Sequence, residues 1–415
     1  MEIAVQKYGG SSVATPARIR RICRRIAETA SGGKAVVAVV SAMGDTTDHL
    51  IALARRLNPD PPARELDMLV ANGETISAPL VAMTLTAMAV PAISLTGQQA
   101  GIRTSRQHSK ARIQGVEVDR LRAELAAGKV CVVAGFQGVT EDLEITTLGR
   151  GGSDTSAVAL AAALGCRECE IYTDVEGFYS ADPRVVRKAR KLEHISYEEC
   201  LELAAVGARV MHPRAVEIGE LYGVAIHVRS SFKKAAGTMI VQTPPVEDRN
   251  RVRGVASEDG IAKITLVGVP DRPGVAATIF EPLAEAAISV DVIVQSVSET
   301  RETDITFTVS DADLPEAVRL VKQQAEKIGA RDVRAAGGLA KVSIVGTGML
   351  GMPGVAARMF RTLAEHKINI EGISTSEIRI TCLVAEKDSA EAVRALHSAF
   401  ELDVERNLAG RSSKR

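Results

Sequence analysis

The sequence predicts an α/β protein: a mainly parallel sheet covered by helices, followed by a tandem pair of smaller strand-and-helix units. Three observations lead there. Residues 3–240 alternate β-branched apolar runs with segments of helical spacing, the pattern of a parallel sheet with helical crossovers. Most of those runs end in small, polar, glycine-bearing loops. Beyond residue 260 the chain repeats itself.

Strand candidates are residues 3–6, 35–40, 92–95, 130–134, 170–173 and 225–228. Ligands of such sheets sit beyond the carboxyl ends of the strands. Lys7-Tyr8-Gly9-Gly10-Ser11-Ser12 follows the first strand as a phosphate cradle with a point charge beside it, although no Walker A spacing occurs. Thr15-Pro16 then caps and opens a helix. Its Arg18, Arg20, Arg21, Arg24 and Arg25 read as a solvated face. Ser41-Ala42-Met43-Gly44-Asp45-Thr46-Thr47 follows the second strand, and Asn72-Gly73-Glu74 lies in an apolar helical stretch, residues 66–89. Gly135-Phe136-Gln137-Gly138 follows residues 130–134. Thr173-Asp174-Val175-Glu176-Gly177-Phe178-Tyr179, with Asp182-Pro183-Arg184 behind it, follows residues 170–173.

The richest loop is TTLGRGGSDTS, residues 146–156, running into the helix-forming AVALAAALG. Its glycines admit close backbone approach. Ser153, Asp154 or Thr155 is expected to cap the helix. Free amides and the helix dipole favour an anion there, and Arg150 adds a fork suited to carboxylate or phosphate.

The repeat pairs KITLVG (263–268) with KVSIVG (341–346) and PGVAA (273–277) with PGVAA (353–357). ISVD (288–291) pairs with INIE (368–371), ITF (305–307) with ITC (380–382), and AVRLV (317–321) with AVRAL (392–396). The offset falls from 80 to 75, placing five extra residues in the first copy's strand–strand turn. Each copy reads strand, helix, strand, strand, helix, with room for a last strand: a split βαβ unit. Gly346-Thr347-Gly348-Met349-Leu350-Gly351 mimics a dinucleotide fingerprint, with Glu371 beyond it. The chain left after Glu371 is too short for a Rossmann domain, and the first copy does the same job without the motif.

Composition excludes other classes. Lys+Arg and Asp+Glu are both 51, so no net charge draws nucleic acid or an anionic membrane. Aromatics are 3% and Trp is absent, leaving few stacking platforms. Apolar runs such as residues 157–164 are too short to span a bilayer, and the first residues lack signal-peptide character. A cytoplasmic chain without nucleic-acid or membrane partners is expected. Cys166 and Cys169 form a C-x-x-C with no second pair, and read as free thiols.

KYGGSS, SAMGDTTD, NGE, GFQG, TTLGRGGSD, YTDVEGFYSADPR and GARVMHPRAVE, in that order, resemble the aspartate kinase family of the amino-acid kinase superfamily. The repeat resembles a tandem pair of ACT amino-acid sensors. The resemblance covers the whole chain. It implies a three-layer αβα kinase domain over residues 1–242 and a linker, 243–260, able to add a strand to the regulatory region. Ferredoxin-like (βαββαβ) ACT domains over 261–336 and 337–415 would follow.

The implied activity is transfer of the ATP γ-phosphoryl group to the side-chain carboxylate of L-aspartate, giving 4-phospho-L-aspartate, the first step toward lysine, threonine and methionine. That carboxylate is already ionised at neutral pH, so no general base is required. By resemblance Lys7 and Asp154 are catalytic, Asp154 positioning Lys7 or metal-bound water. Arg150 takes the α-carboxylate and Glu74 the ammonium, with Thr47, Phe136 and Ser153 completing the acceptor pocket. ATP falls to Lys7, Tyr8, Gly9, Gly10, Ser41, Thr173, Asp174, Tyr179, Arg184, Arg209 and Val210; the family commonly has Lys where Arg209 stands. Mg²⁺ is expected on the ATP phosphates, without a metal site of the protein's own.

Asp271, Gly274, Ser289, Val290, Asp291 and Gln295 match the effector site of the first sensor, with Ile370 and Glu371 equivalent in the second. Lysine, threonine or both are the implied effectors, acting through a homo-oligomer or an α2β2 assembly joined by the ACT domains. The rival readings are another amino-acid kinase of the superfamily and a non-catalytic amino-acid sensor. Intact Lys7, Glu74, Arg150 and Asp154 argue against the latter.

Overall fold

The computed structural model describes residues 1–207, 210–244, 252–295, 302–349 and 352–404. It forms two compact units. Met1–Tyr179, Lys191–Ala205 and the chain from 210 to 244 make the first; Ser180–Arg190, residues 206–207 and the chain from 252 onward make the second.

The first unit opens with β1 (Ile3–Tyr8), the short α1 (Gly10–Val13), α2 (Pro16–Ser31) and β2 (Ala35–Val40). Next come α3 (Thr46–Leu57), α4 (Ala63–Val70), α5 (Asn72–Ala87), β3 (Ala92–Leu95), β4 (Ile102–Thr104), β5 (Ile113–Val116) and α6 (Asp119–Ala126). β6 (Val130–Ala134), β7 (Gln137–Val139), β8 (Ile145–Thr147), α7 (Gly152–Leu164) and β9 (Glu168–Thr173) continue it. β10 (His194–Ser196), α8 (Tyr197–Ala205), α9 (Pro213–Tyr222), β11 (Ala225–Ser230) and β12 (Thr238–Val241) complete it.

All six expected strands form. They run parallel in the order β11-β9-β1-β2-β6-β3, with β12 antiparallel to β11 and β10 outside it. Val36, Ala38, Val40, Val130, Val132 and Ala134 pack with α2 and α5, while α7 packs on β1, β2 and β9. Burial on both faces is why AVVAVV and VCVVA show no polar alternation.

Three readings change. A second sheet, β5-β4-β7-β8, runs through stretches read as loops, so Gln137-Gly138 and Thr146-Thr147 are strand residues. α7 starts at Gly152 behind Gly151, whose φ is +68°; Ser153, Asp154 and Thr155 lie inside the first turn and none caps it. The arginines of α2 stay a largely solvated face: Arg18, Arg20, Arg21 and Arg24 are exposed, while Arg18 and Arg21 also stack over Phe232 at 5.0 and 5.9 Å and the half-buried Arg25 lies 4.4 Å over Tyr172. Lastly, α4 and α5 run on as Ala63–Ala87, long and apolar enough by length and composition to cross a membrane, with mean hydropathy 1.2. Half of that window is buried, and α5 packs on α2, β3 and β6.

The second unit contains β13 (Gly254–Pro270), α10 (Val275–Glu285), β14 (Asp291–Gln295), β15 (Glu302–Ser310), α11 (Leu314–Ile328) and β16 (Asp332–Val345). α12 (Val355–Glu365), β17 (Gly372–Thr375), β18 (Arg379–Ala385) and α13 (Ser389–Ala399) follow. The repeat is visible in detail: Gly274 and Gly354 of the two PGVAA motifs cap α10 and α12 at φ +93° and +96°. One six-stranded sheet, β14-β15-β13-β16-β18-β17, joins both copies.

Two long strands cross at its centre. Residues 261–267 of β13 pair with 332–339 of β16, and 254–258 pair with 341–345. Each copy's last strand is thus an extension of the other copy's first. α10 and α11 close one core and α12 and α13 the other. The segment Ser180–Arg190 joins the latter, with Ser180 Oγ 2.9 Å from His397 Nε2. Gly346 and Gly348 do not open onto a helix: Thr347–Met349 is a 3₁₀ turn and α12 begins at Val355. Gly351 lies outside the described residues.

Candidate active site

A cavity of about 530 Å³ opens beyond the carboxyl ends of β1 and β2. Lys7, Gly10, Ser41, Thr47, Glu74, Phe136, Arg150 and Ser153 all line it, drawn from loops far apart in sequence. The parallel sheet is what brings them to one edge.

Lys7, the seventh residue of the chain, projects from β1 toward α7, and its Nζ lies 2.5 Å from Asp154 Oδ1. Both side chains are 11% exposed. The pair orients a cation at the cavity while leaving it solvent-reachable on the ligand side. Glu74, at the start of α5, is buried, and its Oε1 accepts from Ala42 N at 3.0 Å. Its Oε2 is buried without a hydrogen-bond partner among the described residues. Burial pushes the Glu74 carboxyl up to about 7, with the Ala42 amide and Lys7 opposing. A buried carboxylate oxygen with no donor is a strong call for a cation or a proton.

Arg150 is exposed and carries no hydrogen bond or ion pair among the described residues. It stands between Gly149 and Gly151, with φ of +80° and +68°. A Cβ on Gly151 would stand 2.4 Å from the His212 ring, so the turn needs glycine twice over. Phe136 is held at φ +68°, a conformation that costs about 1 kcal/mol or more outside glycine. Its amide donates to Ser156 Oγ at 3.1 Å and its carbonyl accepts from Leu148 N at 2.9 Å.

Other residues named from the sequence fall elsewhere. Tyr8 alternates with Lys7 and points to the other face, fully buried and stacked on Tyr172 at 5.0 Å, so only its backbone borders the site. Gly9 lies beneath Lys7 Nζ. Thr173, Asp174 and Tyr179 stand at and beyond the end of β9, outside the cavity lining, as does Val210. Arg184 belongs to the second unit, ion-paired to Asp182 at 2.7 Å. Arg209 lies outside the described residues.

Sequence reading missed the Ala42 amide, Asp67, Arg214 and His212. His212 Nδ1 is buried without a hydrogen-bond partner among the described residues, and burial lowers the imidazole's pKa, with Asp154 opposing. Asp67 had a signal: it precedes Glu74 by seven residues on the same helical run, two turns along one face. Among the described residues the one His/Cys/Asp/Glu cluster with metal-like spacing is Glu168, Glu170 and His227. Glu168 and Glu170 line a separate cavity of about 1110 Å³, and the cluster's members are already engaged with Arg229, Gln6, Tyr172 and the Ala236 carbonyl.

In the second unit the eight effector residues fall at turns and sheet edges. Asp271 and Gly274 sit between β13 and α10; Ser289, Val290, Asp291 and Gln295 lead into and end β14. Ile370 and Glu371 precede β17, so the two groups occupy opposite edges. Lys341 Nζ lies 2.5 Å from Asp291, and Lys263 Nζ lies 2.9 Å from Glu371. Lysines equivalent in the repeat therefore reach across to each other's acidic partner.

A model of the amino acid kinase family matches residues 2–230. The aspartokinase of Mycolicibacterium smegmatis is 50% identical over 408 residues, 97% of each chain. The chain belongs to the amino acid kinase family, among its aspartokinases. The aspartokinase of Bacillus sp. (strain MGA3) is 48% identical over 402 residues, 97% of this chain and 98% of that one. An ACT domain model matches residues 264–324 and 342–400, the two copies of the repeat. Among solved structures, E. coli aspartokinase III in complex with aspartate and ADP is 26% identical with a TM-score of 0.77, covering 96% of this chain and 100% of that one. The same enzyme in complex with lysine and aspartate gives 27% and 0.77 over the same shares. Aspartokinases thus share this fold from end to end.

Proposed function

We propose that the chain transfers the γ-phosphoryl group of ATP to the side-chain carboxylate of L-aspartate. One observation carries this reading: a single cavity is lined by the Arg150 guanidinium, a buried carboxylate with an open oxygen (Glu74) and Lys7, itself paired with Asp154. An α-amino acid presents a carboxylate and an ammonium, and those two groups meet their opposites. The second carboxylate is left toward Lys7.

Bringing that anion against a polyphosphate is the obstacle, and fixed positive charge is the remedy. Lys7 holds one phosphoryl oxygen, while Asp154 keeps its ammonium aimed into the cavity. The Gly9-Gly10 turn lets phosphate approach the backbone. Mg²⁺ is expected through the nucleotide, since Asp67 already accepts protein donors, Asp154 is paired with Lys7 and the open Glu74 oxygen is assigned to the ammonium. When bound on the phosphates, Mg²⁺ supplies charge neutralisation. ATP contacts by Ser41, Thr173, Asp174, Tyr179, Arg184, Arg209 and Val210 belong to the same proposal. So do a cytoplasmic location, assembly through the ACT repeat, and feedback control by lysine or threonine at Asp271, the residues around Asp291, and Glu371.

The test is ATP-dependent acyl-hydroxamate formation with hydroxylamine. Aspartate is expected to support it, and glutamate and acetylglutamate are not. Equal turnover of another acceptor, or none with aspartate, overturns the reading.

A further inference from the structure

The loop carrying Arg150 cannot place itself. Its two glycines hold left-handed conformations, and the guanidinium has no partner of its own among the described residues. Where Arg150 stands is decided by what anchors the chain leading into it.

Upstream the anchor is Thr147, the last residue of β8. Both of its donors go to one carboxylate: Thr147 Oγ1 donates to Asp67 Oδ1 at 2.5 Å and Thr147 N to Asp67 Oδ2 at 3.1 Å. Asp67 Oδ2 also accepts from Ser109 N at 2.9 Å and lies 3.0 Å from His108 Nδ1. Asp67 is 1% exposed, on α4, and borders the cavity. Its two oxygens accept three hydrogen bonds, from Thr147 N, Thr147 Oγ1 and Ser109 N. The 108–109 turn it holds lies against the loop, for the Gly149 Cβ position falls 3.1 Å from the Ser109 carbonyl.

One residue further on, still ahead of Arg150, Arg214 on α9 donates from Nη1 to the Leu148 carbonyl at 2.6 Å, and from Nη2 to the Ala111 carbonyl at 2.7 Å. The strand end that leads into Arg150 is thus gripped by a buried carboxyl group and a guanidinium fork. Charge-assisted hydrogen bonds are shorter and stronger than neutral ones.

We propose that Asp67 is a positioning residue for the acceptor pocket, setting the place of the Arg150 guanidinium through Thr147 and the 108–109 turn. This rests on the reading of Arg150 as the carboxylate clamp. Asp67→Asn keeps the shape but turns one acceptor into an N–H facing other N–H groups.

The experiment measures KM for aspartate and for ATP in the full-length protein for Asp67→Asn, Arg150→Ala and the double variant. Asp67→Asn is expected to raise the aspartate KM about tenfold or more and to leave the ATP KM within about twofold. In the Arg150→Ala background it is expected to add less than about twofold, because its effect passes through Arg150. Thr147→Val, which removes a single donor, is expected to move the aspartate KM in the same direction by a smaller factor and serves if Asp67→Asn does not fold. Equal shifts in both KM values, additive effects in the double variant, or an unchanged aspartate KM would overturn the proposal. A wild-type protein that does not turn over aspartate would overturn the pocket reading, and the proposal with it.

Discussion

With Glu74 as the proposed ammonium site, the acceptor pocket is expected to be proton-linked. Its carboxyl is raised from 4.5 to about 7, chiefly by burial. An ammonium brought to its open Oε2 would favour the ionised form, so on this reading aspartate binding drives the proton off. The affinity for aspartate is then expected to be nearly full at pH 8 and to fall as the pH drops through 7. With a carboxyl at 7, about nine-tenths is ionised at pH 8, half at pH 7 and roughly one-tenth at pH 6. The aspartate KM is therefore expected to rise about fivefold to tenfold between pH 8 and pH 6, with the ATP KM nearly flat. Calorimetry in buffers of different ionisation enthalpy should show about half a proton released per aspartate bound at pH 7. The ligand-free protein carries the complementary effect. A raised folded-state pKa contributes stability that is full below 4.5 and lost as pH rises through 7, about 3 kcal/mol in all. Glu74→Gln cannot ionise, and is expected to hold a high, pH-independent aspartate KM. An aspartate KM that stays flat from pH 6 to 8 in the wild type, or a pH dependence that survives Glu74→Gln, would refute the reasoning.

The other predictions concern neighbouring groups. Arg150→Ala is expected to raise the aspartate KM far more than the ATP KM in steady-state kinetics; equal effects sink its assignment to the α-carboxylate. Asp154→Asn releases Lys7 from its 2.5 Å pair, and is expected to lower kcat by about 10²-fold with smaller changes in either KM. A fragment of residues 337–415 lacks the 254–258 strand that pairs with 341–345, and is expected to stay unfolded by circular dichroism, whereas 252–415 folds. Lys341→Met leaves Asp291 without its buried partner, and is expected to shift the effector concentration that halves activity by several-fold, read from inhibition curves with lysine and threonine.

The sheet was legible because its strands are buried on both faces, and residues 35–40, 92–95 and 130–134 stand where the apolar runs put them. Lys7, Glu74 and Arg150 could be singled out because charge in a glycine loop or an apolar helix has few structural uses. Asp67 and Arg214 escaped because their roles are hydrogen bonds to backbone distant in sequence, at 147 and at 111 and 148. No periodicity records such a bond. The cap of α7 was misread for a related reason. Ser, Asp and Thr in a row suit a cap, but the left-handed Gly151 starts the helix earlier and sends Asp154 inward to Lys7. Function displaced the local preference.

The repeat shows the same logic on a larger scale. Matching motifs suggest two independent units, but the long β13 and β16 exchange their ends, so neither sheet is complete without the other copy's chain. The charges follow the exchange. Lys263 and Lys341 are equivalent in the repeat, and each closes on the acid of the opposite copy, Glu371 and Asp291. Burial raises Asp291, yet Lys341 and the Val292 amide more than offset it and hold the carboxyl below its ordinary range; Lys263 does likewise to Glu371. Both acids stay ionised across physiological pH, each with an ammonium already in contact. If the proposed effector sites hold, an amino acid arriving at either edge would bring a second ammonium to the same carboxylate. Its affinity would then depend on how readily a lysine rooted in the other copy yields. Effector binding at one edge would thereby be tied to the register of the crossed strands, and so to the other edge, which is the physical requirement for two sensors to respond as one.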